Sequence, residues 1–214
     1  MSTDNAIYQL TNNILKALDN KQLVGGMFCD LSKAFDCVNH ETLLSKLEYY
    51  GVRGTANNLI KSYLVDRSQR VLIKDNYSGT HYLEWNKVKR RVPQGSILGP
   101  LFFLFYINDL PETIKDTSLP TLFADDINLI CVQRSLEGLK DDYASVLTKV
   151  NRWFQSNSLT LNLNKPNLVH FTAKLTTNIP DRIELGKNRL INSQTINFLG
   201  LTLDYTLSWR PHIA

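Results

Sequence analysis

Cysteine is scarce in this sequence, and the three present (Cys29, Cys37 and Cys131) are odd in number with no CxxC pair among them. Neither a disulfide framework nor a thiolate zinc site is expected, and the pattern suits a reducing, intracellular compartment. Long apolar runs are lacking too. The longest, Leu98 to Ile107 with Gly99 and Pro100 inside it, is too short to span a bilayer and reads as a helix buried on most sides. No N-terminal apolar segment with a cleavage site is present, so no membrane partner is expected. Pro-, Gly- or Ser-rich linkers and internal repeats are absent, while 43% of residues are hydrophobic and 21% charged, the balance of a globular chain. Nor does one sign of charge dominate. Lys plus Arg number 24 and Asp plus Glu 20, so the net charge of +4 permits a phosphate-rich partner without itself indicating one. The 214 residues suffice for one domain or two small lobes.

What is present is a mixture of helical and extended patterns. Ser2–Asn20 places Ile7, Leu10, Ile14 and Leu18 at helical spacing. Leu23–Asp30 (LVGGMFCD) reads as a buried strand whose last residue is acidic. Asn39 is placed to cap a helix through Tyr50, closed by Gly51, and Thr55–Leu64 continues helically. Arg70–Lys74 and Tyr82–Arg90 read as strands around the turn-rich Asp75–Gly79. PQGS at Pro93–Ser96 precedes the apolar helix, which runs to about Leu110 and is ended by Pro111. Thr121–Ala124 and Ile127–Val132 form a hairpin pattern around Asp125–Asp126. Ser135–Asn157 is a long amphipathic helix with Leu139, Tyr143, Val146, Val150, Trp153 and Phe154 on its apolar face. Short strands follow at Leu159–Leu163, Leu168–Phe171, Ile183–Leu185 and Phe198–Leu203. Without strict βαβ alternation, the class is α+β.

The Asp125–Asp126 pair carries the first chemical signal. On a regular strand, neighbouring side chains point to opposite faces and do not share a ligand. At a hairpin tip both can approach one region, where two ionised carboxylates repel and a divalent cation is the usual remedy. A solvated turn is the plain alternative. Asp30, also at the end of an apolar strand, supplies a third carboxylate, or else caps the loop that follows. Three carboxylates at strand ends suit two Mg²⁺ ions, which prefer oxygen ligands and retain water and substrate phosphate.

The segments Phe28–His40 (FCDLSKAFDCVNH), Arg91–Leu110 (RVPQGSILGPLFFLFYINDL), Phe123–Asp126 (FADD), Leu159–Phe171 (LTLNLNKPNLVHF) and Phe198–Asp204 (FLGLTLD) occur in that order. Together they resemble the successive palm motifs of reverse transcriptases, most closely those of non-LTR (LINE-type) retrotransposons. The resemblance implies a right-hand palm, an antiparallel sheet backed by helices, that transfers deoxynucleotides to a primer 3′-OH on an RNA template. It implies Asp30 and Asp125 as principal metal ligands and Asp126 as the supporting carboxylate, for two Mg²⁺ ions with Mn²⁺ as a substitute. Phe35 matches the steric gate that rejects a ribose 2′-OH, which disfavours an RNA-directed RNA polymerase; its plain reading is a core aromatic. Backbone N–H groups of Leu31, Ser32, Lys33 and Ala34 match the triphosphate cradle. Gln94 and Gly95 match the segment near nucleotide and template, or are simply a turn opening a helix. Lys165 matches a lysine that protonates departing pyrophosphate, or is solvated surface. Leu199 and Gly200 match the primer grip. Arg67, Arg70, Lys74, Lys87, Lys89 and Arg90, beside Tyr77, Tyr82 and Trp85, offer a template track or a solvated ribbon.

Three departures from the family pattern stand out. Arg91 occupies a position commonly Gly, where a long cation crowds the pocket or points outward. Pro166 follows Lys165 where Thr or Ser is common, and fixes φ there. The opening residues match the middle of the family pattern, so most of the fingers and the thumb are expected to lie outside residues 1–214. The expected organisation is a fingers-proximal helix at 1–22, palm at 23–36 and 91–205, partial fingers at 37–90 and the start of a thumb connection at 206–214. Metal binding is expected to be retained, with processive polymerisation by these residues alone weak or absent. A non-catalytic nucleic-acid-binding remnant and a decayed interaction domain are the other classes open to the sequence.

Overall fold

A computed structural model describes residues 2–31, 34–75, 79–88, 90–93, 95–159, 167–172, 182–185 and 188–213; for residues 30, 167, 182–185 and 188–190 only the backbone is described. Helix α1 (Thr3–Asp19) starts where Ser2 Oγ accepts a hydrogen bond from the Asn5 amide. It is followed by β1 (Leu23–Asp30), a single 3-10 turn (Ala34–Asp36), α2 (His40–Tyr49) and α3 (Gly54–Leu64). Next come β2 (Ser68–Gln69), β3 (Leu72–Asp75), β4 (Gly79–Tyr82) and β5 (Asn86–Lys87), then α4 (Leu98–Ile107) and α5 (Leu110–Ile114). The hairpin β6 (Leu119–Phe123) and β7 (Asp126–Gln133) leads into α6 (Leu136–Ser156). The remaining elements are β8 (Asn167–Phe171), β9 (Arg182–Leu185), β10 (Asn188–Asn192), β11 (Thr195–Phe198), β12 (Leu201–Asp204) and α7 (Arg210–Ile213). The chain divides into two compact units, one of residues 1–32, 109–156 and 160–214, the other of 33–108 and 157–159.

The first unit is organised on a six-stranded sheet ordered β6-β7-β1-β8-β10-β9, antiparallel throughout except for the β8–β10 pair. β1 is central and pairs with β7 along its whole length, from Leu23↔Gln133 to Asp30↔Asp126. Alternation then sorts its residues. Val24 and Phe28 join Ile130, Val169 and Phe171 in a core closed by Leu10 and Ile14 of α1 and by Ile196, Phe198 and Leu203 of the β11–β12 hairpin. Each such fully buried side chain contributes about 1.5–3 kcal/mol. On the opposite face α6 buries Leu139, Tyr143, Val146 and Val150, as its periodicity requires. Gly25 is mandatory there, because a Cβ would lie 1.4 Å from the Tyr143 hydroxyl oxygen.

The second unit packs α2, α3 and α4 beside a two-stranded ribbon. Asn39 caps α2 as expected, its Oδ1 accepting from the Thr42 amide at 3.1 Å. Lys46 Nζ donates to the Tyr106 carbonyl at 2.7 Å, and the Tyr106 hydroxyl, whose pKa burial raises, donates to the Asn157 carbonyl. α4 buries Phe102, Phe103, Tyr106 and Ile107, yet Leu98, Leu101 and Leu104 are exposed. Uniform apolarity along this segment therefore overstated its burial, since only one side meets α2 and the 3-10 turn.

Two other expectations need correction. Pro111 does not end the apolar helix: α4 stops at Ile107, and Pro111 lies in the first turn of α5, where its missing N–H costs nothing. Phe198–Leu203 is not one strand but a hairpin, folded back at Leu199–Gly200. In the expected Leu159–Leu163 strand, Leu159 is not extended in a sheet and 160–163 lie outside the described residues.

Candidate functional site

The β6–β7 ladder closes on Phe123↔Asp126, so Ala124–Asp125 is a two-residue loop. Such loops match the twist of antiparallel strands only with primed turns, which need φ above zero at the first central residue. Ala124 takes φ +51° there. The turn removes Asp125 from strand alternation, leaving two consecutive carboxylates, both half-buried, at one tip. The β1–β7 register then brings the Asp30 backbone directly opposite Asp126. Opposed residues of antiparallel strands have Cα atoms about 4.5–5.5 Å apart. Three acidic positions thus meet at one end of the adjacent strands β1 and β7. Among residues with described side chains no group of three His, Cys, Asp or Glu forms a metal-sized cluster, Asp30 not being among them. The donor set offers only hard carboxylate oxygens, which fits Mg²⁺ or Mn²⁺ and not zinc.

One step back from the tip, Thr121 and Asn128 oppose each other on the face that carries Asp126, and both are buried. Asn128 Nδ2 donates to the Thr121 carbonyl at 3.4 Å, and the Thr121 hydroxyl has no hydrogen-bond partner among the described residues. This polar pair lies next to the carboxylate end, on the face that also carries Phe28 of the apolar core. Its signal in sequence was slight, a Thr and an Asn within otherwise β-rich runs.

The other motif residues of the first unit are the hairpin tip Leu199–Gly200. Both have φ above zero, +48° and +86°, as a type I′ turn demands. Leu199 packs partly against the core, and with Gly200 it borders an open groove of ≈ 630 Å³ shared with Thr3, Ile7 and Tyr8 of α1. The hairpin is anchored at its far end by Asp204, a buried residue that the sequence did not single out. Its carboxylate accepts from the amides of Thr206 (3.2 Å) and Trp209 (3.0 Å), from Ser208 Oγ (3.1 Å) and from the Thr206 hydroxyl. These donors outweigh desolvation and hold its pKa at about 2.

In the second unit Ala34 and Phe35 lie in the 3-10 turn, Ala34 buried and Phe35 half-buried with its ring centroid 4.9 Å from that of Phe103. Gly95 has φ +81° and open space where a Cβ would stand, so conformation and not crowding by protein demands glycine. Arg91 is held by two side chains. Its guanidinium bonds Asp36 at 2.8 Å and Gln69 at 3.3 Å. The basic segment forms a bulged ribbon: β3 pairs β4 and β2 pairs β5, with the register slipping by one residue between them. At the slip the Arg70 guanidinium stacks 4.1 Å from the Tyr82 ring and 4.7 Å from Trp85, both exposed. Leu31 is buried, whereas Ser32, Lys33, Gln94, Lys165, Pro166, Tyr77 and Lys89 lie outside the described residues.

A family model for reverse transcriptase (RNA-dependent DNA polymerase) matches residues 3–203. The chain belongs to the reverse transcriptase family. Its relatives are polymerases of non-LTR retrotransposons. The probable RNA-directed DNA polymerase from transposon BS of Drosophila melanogaster is 32% identical over 99% of this chain and 23% of its own length. The RNA-directed DNA polymerase from the mobile element jockey of the same organism is 27% identical over 99% of this chain and 23% of its own. The chain thus spans about a quarter of the length of these curated relatives. Among solved structures, apo telomerase from Candida tropicalis, truncated from its C-terminal domain, has a TM-score of 0.64 at 16% identity, covering 97% of this chain and 39% of that one. Telomerase from Candida albicans in complex with a fragment of telomeric RNA has a TM-score of 0.61 at 16% identity, covering 95% and 34%. The α+β fold of this reverse transcriptase chain is that of a right-hand polymerase palm.

Proposed function

We propose that this chain is the palm, with part of the fingers at 37–90, of an RNA-directed DNA polymerase that adds deoxynucleoside triphosphates to a primer 3′-OH on an RNA template. The observation that carries the proposal is the register Asp30↔Asp126 beside a two-residue loop that presents Asp125. Asp30, Asp125 and Asp126 would hold two Mg²⁺ ions, or Mn²⁺ in their place. Bound divalent ions at such a site activate the attacking hydroxyl and stabilise the leaving pyrophosphate.

The remaining roles fall to the chain itself. In the reaction the primer 3′-oxygen bonds the α-phosphorus, the bond from that phosphorus to the oxygen bridging to the β-phosphate breaks, and the primer hydroxyl's proton passes to solvent water. Backbone amides of Leu31–Ala34 receive the triphosphate, and Phe35 excludes a 2′-OH from the sugar position. Gln94 and Gly95 border base and template. Lys165 donates a proton to the departing pyrophosphate, a contribution of about 10²-fold for a positioned acid. Leu199 and Gly200, in their strained I′ turn beside the open groove, hold the primer end. The ribbon with Arg67, Arg70, Lys74, Lys87 and Arg90 tracks template phosphate, and the exposed rings of Tyr82 and Trp85 offer stacking surfaces.

Two measurements on the same protein test the reading. Mn²⁺ binding, followed by electron paramagnetic resonance, should weaken at least tenfold in Asp125→Asn while the melting temperature holds. Incorporation of dTTP on oligo(dT)-primed poly(rA) with Mg²⁺ or Mn²⁺ should vanish in Asp125→Ala. Unaltered Mn²⁺ affinity in Asp30→Asn and Asp125→Asn together, or incorporation that survives Asp125→Ala, would overturn it.

A further inference from the structure

We infer that Arg91 is a positioning residue for sugar selection, clamping through Asp36 the turn that carries Phe35. The inference rests on the reading of Phe35 as the residue that meets the incoming sugar. Its starting point is the backbone. Arg91 stands at φ +90°, a conformation that L side chains rarely adopt and that costs of order 1–3 kcal/mol. Glycine would take it freely. A strained arginine is retained only if its side chain or its surroundings compensate.

The compensation is specific. Arg91 Nε donates to Asp36 Oδ1 at 2.8 Å, and Nη1 donates to Gln69 Oε1 at 3.3 Å. Asp36 closes the 3-10 turn whose middle residue is Phe35. The main chain binds the same two segments: the Arg91 amide donates to the Val38 carbonyl at 2.9 Å and the Val92 amide to the Phe35 carbonyl at 3.1 Å. His40 Nε2 lies 2.9 Å from the Arg91 carbonyl, which can only accept, so that nitrogen carries a proton. The Phe35 ring is backed by Phe103 at 4.9 Å. Phe35 is thus fixed by its own carbonyl, by its neighbour Asp36 and by its ring. The Arg91–Asp36 link is charge-assisted, and its side chains are 37% and 28% exposed. A planar guanidinium can hold Asp36 and Gln69 at once, whereas an ammonium cannot match that fork.

A steric gate discriminates by refusing to move. Loosening the turn should admit the larger ribonucleotide while leaving deoxynucleotide binding nearly unchanged. The variants Asp36→Asn, Arg91→Lys and Arg91→Gly separate charge, fork geometry and backbone strain, and Arg91→Gly removes the clamp while relieving φ. The experiment measures Kd for dATP and ATP by calorimetry on the chain with primed RNA template and Mg²⁺, with KM and kcat for single-nucleotide addition. Preference for dATP should fall about fivefold in Arg91→Gly and Asp36→Asn, and less in Arg91→Lys, a coupling typical of a contacting pair. The fall should appear in Kd and KM for ATP, with kcat for dATP and the melting temperature little changed. Native protein that discriminates, with variants that discriminate equally well, overturns the clamp alone. Native protein that binds dATP and ATP equally well, or binds neither, overturns Phe35 as the sugar gate and the clamp with it, whereas the carboxylate site is judged separately by Mn²⁺ binding.

Discussion

Replacing Gly25 by alanine probes the scaffold that carries the carboxylates. Gly25 lies at the middle of β1, opposite Cys131 on one side and His170 on the other. An alanine Cβ there would sit 1.4 Å from the Tyr143 hydroxyl oxygen and 2.5 Å from its Cζ. Tyr143 has no exposed surface, so the ring cannot swing outward without dragging α6 off the sheet. Forcing extra volume into such a core costs about 1–3 kcal/mol. The displaced hydroxyl also loses its 3.0 Å contact with His170 Nε2, and a buried group left unpaired costs a further 1–3 kcal/mol or about that. Alanine regains about 0.5–1 kcal/mol over glycine within a strand. The net loss is about 1–5 kcal/mol, a large share of the roughly 5–15 kcal/mol that stabilises a typical domain. Urea unfolding of native and Gly25→Ala protein should show a lower midpoint at unchanged slope. Because the overlapped atom is the hydroxyl oxygen, Tyr143→Phe should relieve part of the clash, so Gly25→Ala should cost less in that background than in the native one. A loss below about 1 kcal/mol, or equal losses in both backgrounds, would refute the argument that this oxygen is what makes glycine mandatory.

Other measurements address the charges. The Asp204 carboxyl is depressed to about 2, so its stabilising contribution is complete above the unfolded value near 4 and is lost as pH falls through 2. About 2 kcal/mol of acid-dependent stability should therefore disappear in Asp204→Asn, seen as a flatter stability curve between about pH 4 and 2. Burial holds the His170 pKa below its ordinary value, so the unfolded chain takes up a proton first as pH drops below about 6.5, and stability should decline there. His170→Gln should remove that slope, and an unchanged slope would mean that His170 is not its source. Removing the stacked guanidinium in Arg70→Ala should weaken binding of single-stranded RNA and reduce its salt slope by about one phosphate contact. Trp85→Ala should cost about 1–3 kcal/mol with the salt slope unchanged, if the ring stacks on a base.

Where local pattern and tertiary demand coincide, the sequence could be read closely. β1 runs from Leu23 to Asp30 as its apolar stretch indicates, and α2 begins after the cap that Asn39 provides. The hairpin around Asp125–Asp126 was legible because strands on either side break abruptly at charge. β10 was not, since Asn188–Asn192 carries a mixed pattern and owes its place to a parallel partnership with β8. Pro111 misled because a helix-ending residue is equally a helix-starting one. The need for Gly25 was invisible, being set by Tyr143 far along the chain. So was the role of Arg91, which as a residue looked only like a departure and whose partner Asp36 lies 55 positions away.

Backbone strain links these observations to the motifs. Among the described non-glycine residues with φ above zero are Ala124, Leu199 and Arg91. Each stands at a motif loop: the turn before the paired carboxylates, the tip of the β11–β12 hairpin, and the approach to the PQGS segment. Such conformations persist only where the surroundings over-determine them. Around Ala124 it is the β6–β7 ladder that holds the turn, and around Leu199 the β11–β12 ladder together with the core beneath it. Around Arg91, among the described residues, the pairing is the isolated Asn39↔Arg90 bridge, and side-chain hydrogen bonds to Asp36 and Gln69 supplement it. Loss of those side-chain bonds should therefore loosen the Arg91 segment, whereas single side-chain deletions at the other two turns leave their ladders intact. Amide exchange can separate the two kinds of support: Arg91→Gly should speed exchange at Val92 while Leu199→Gly leaves the β11–β12 amides protected.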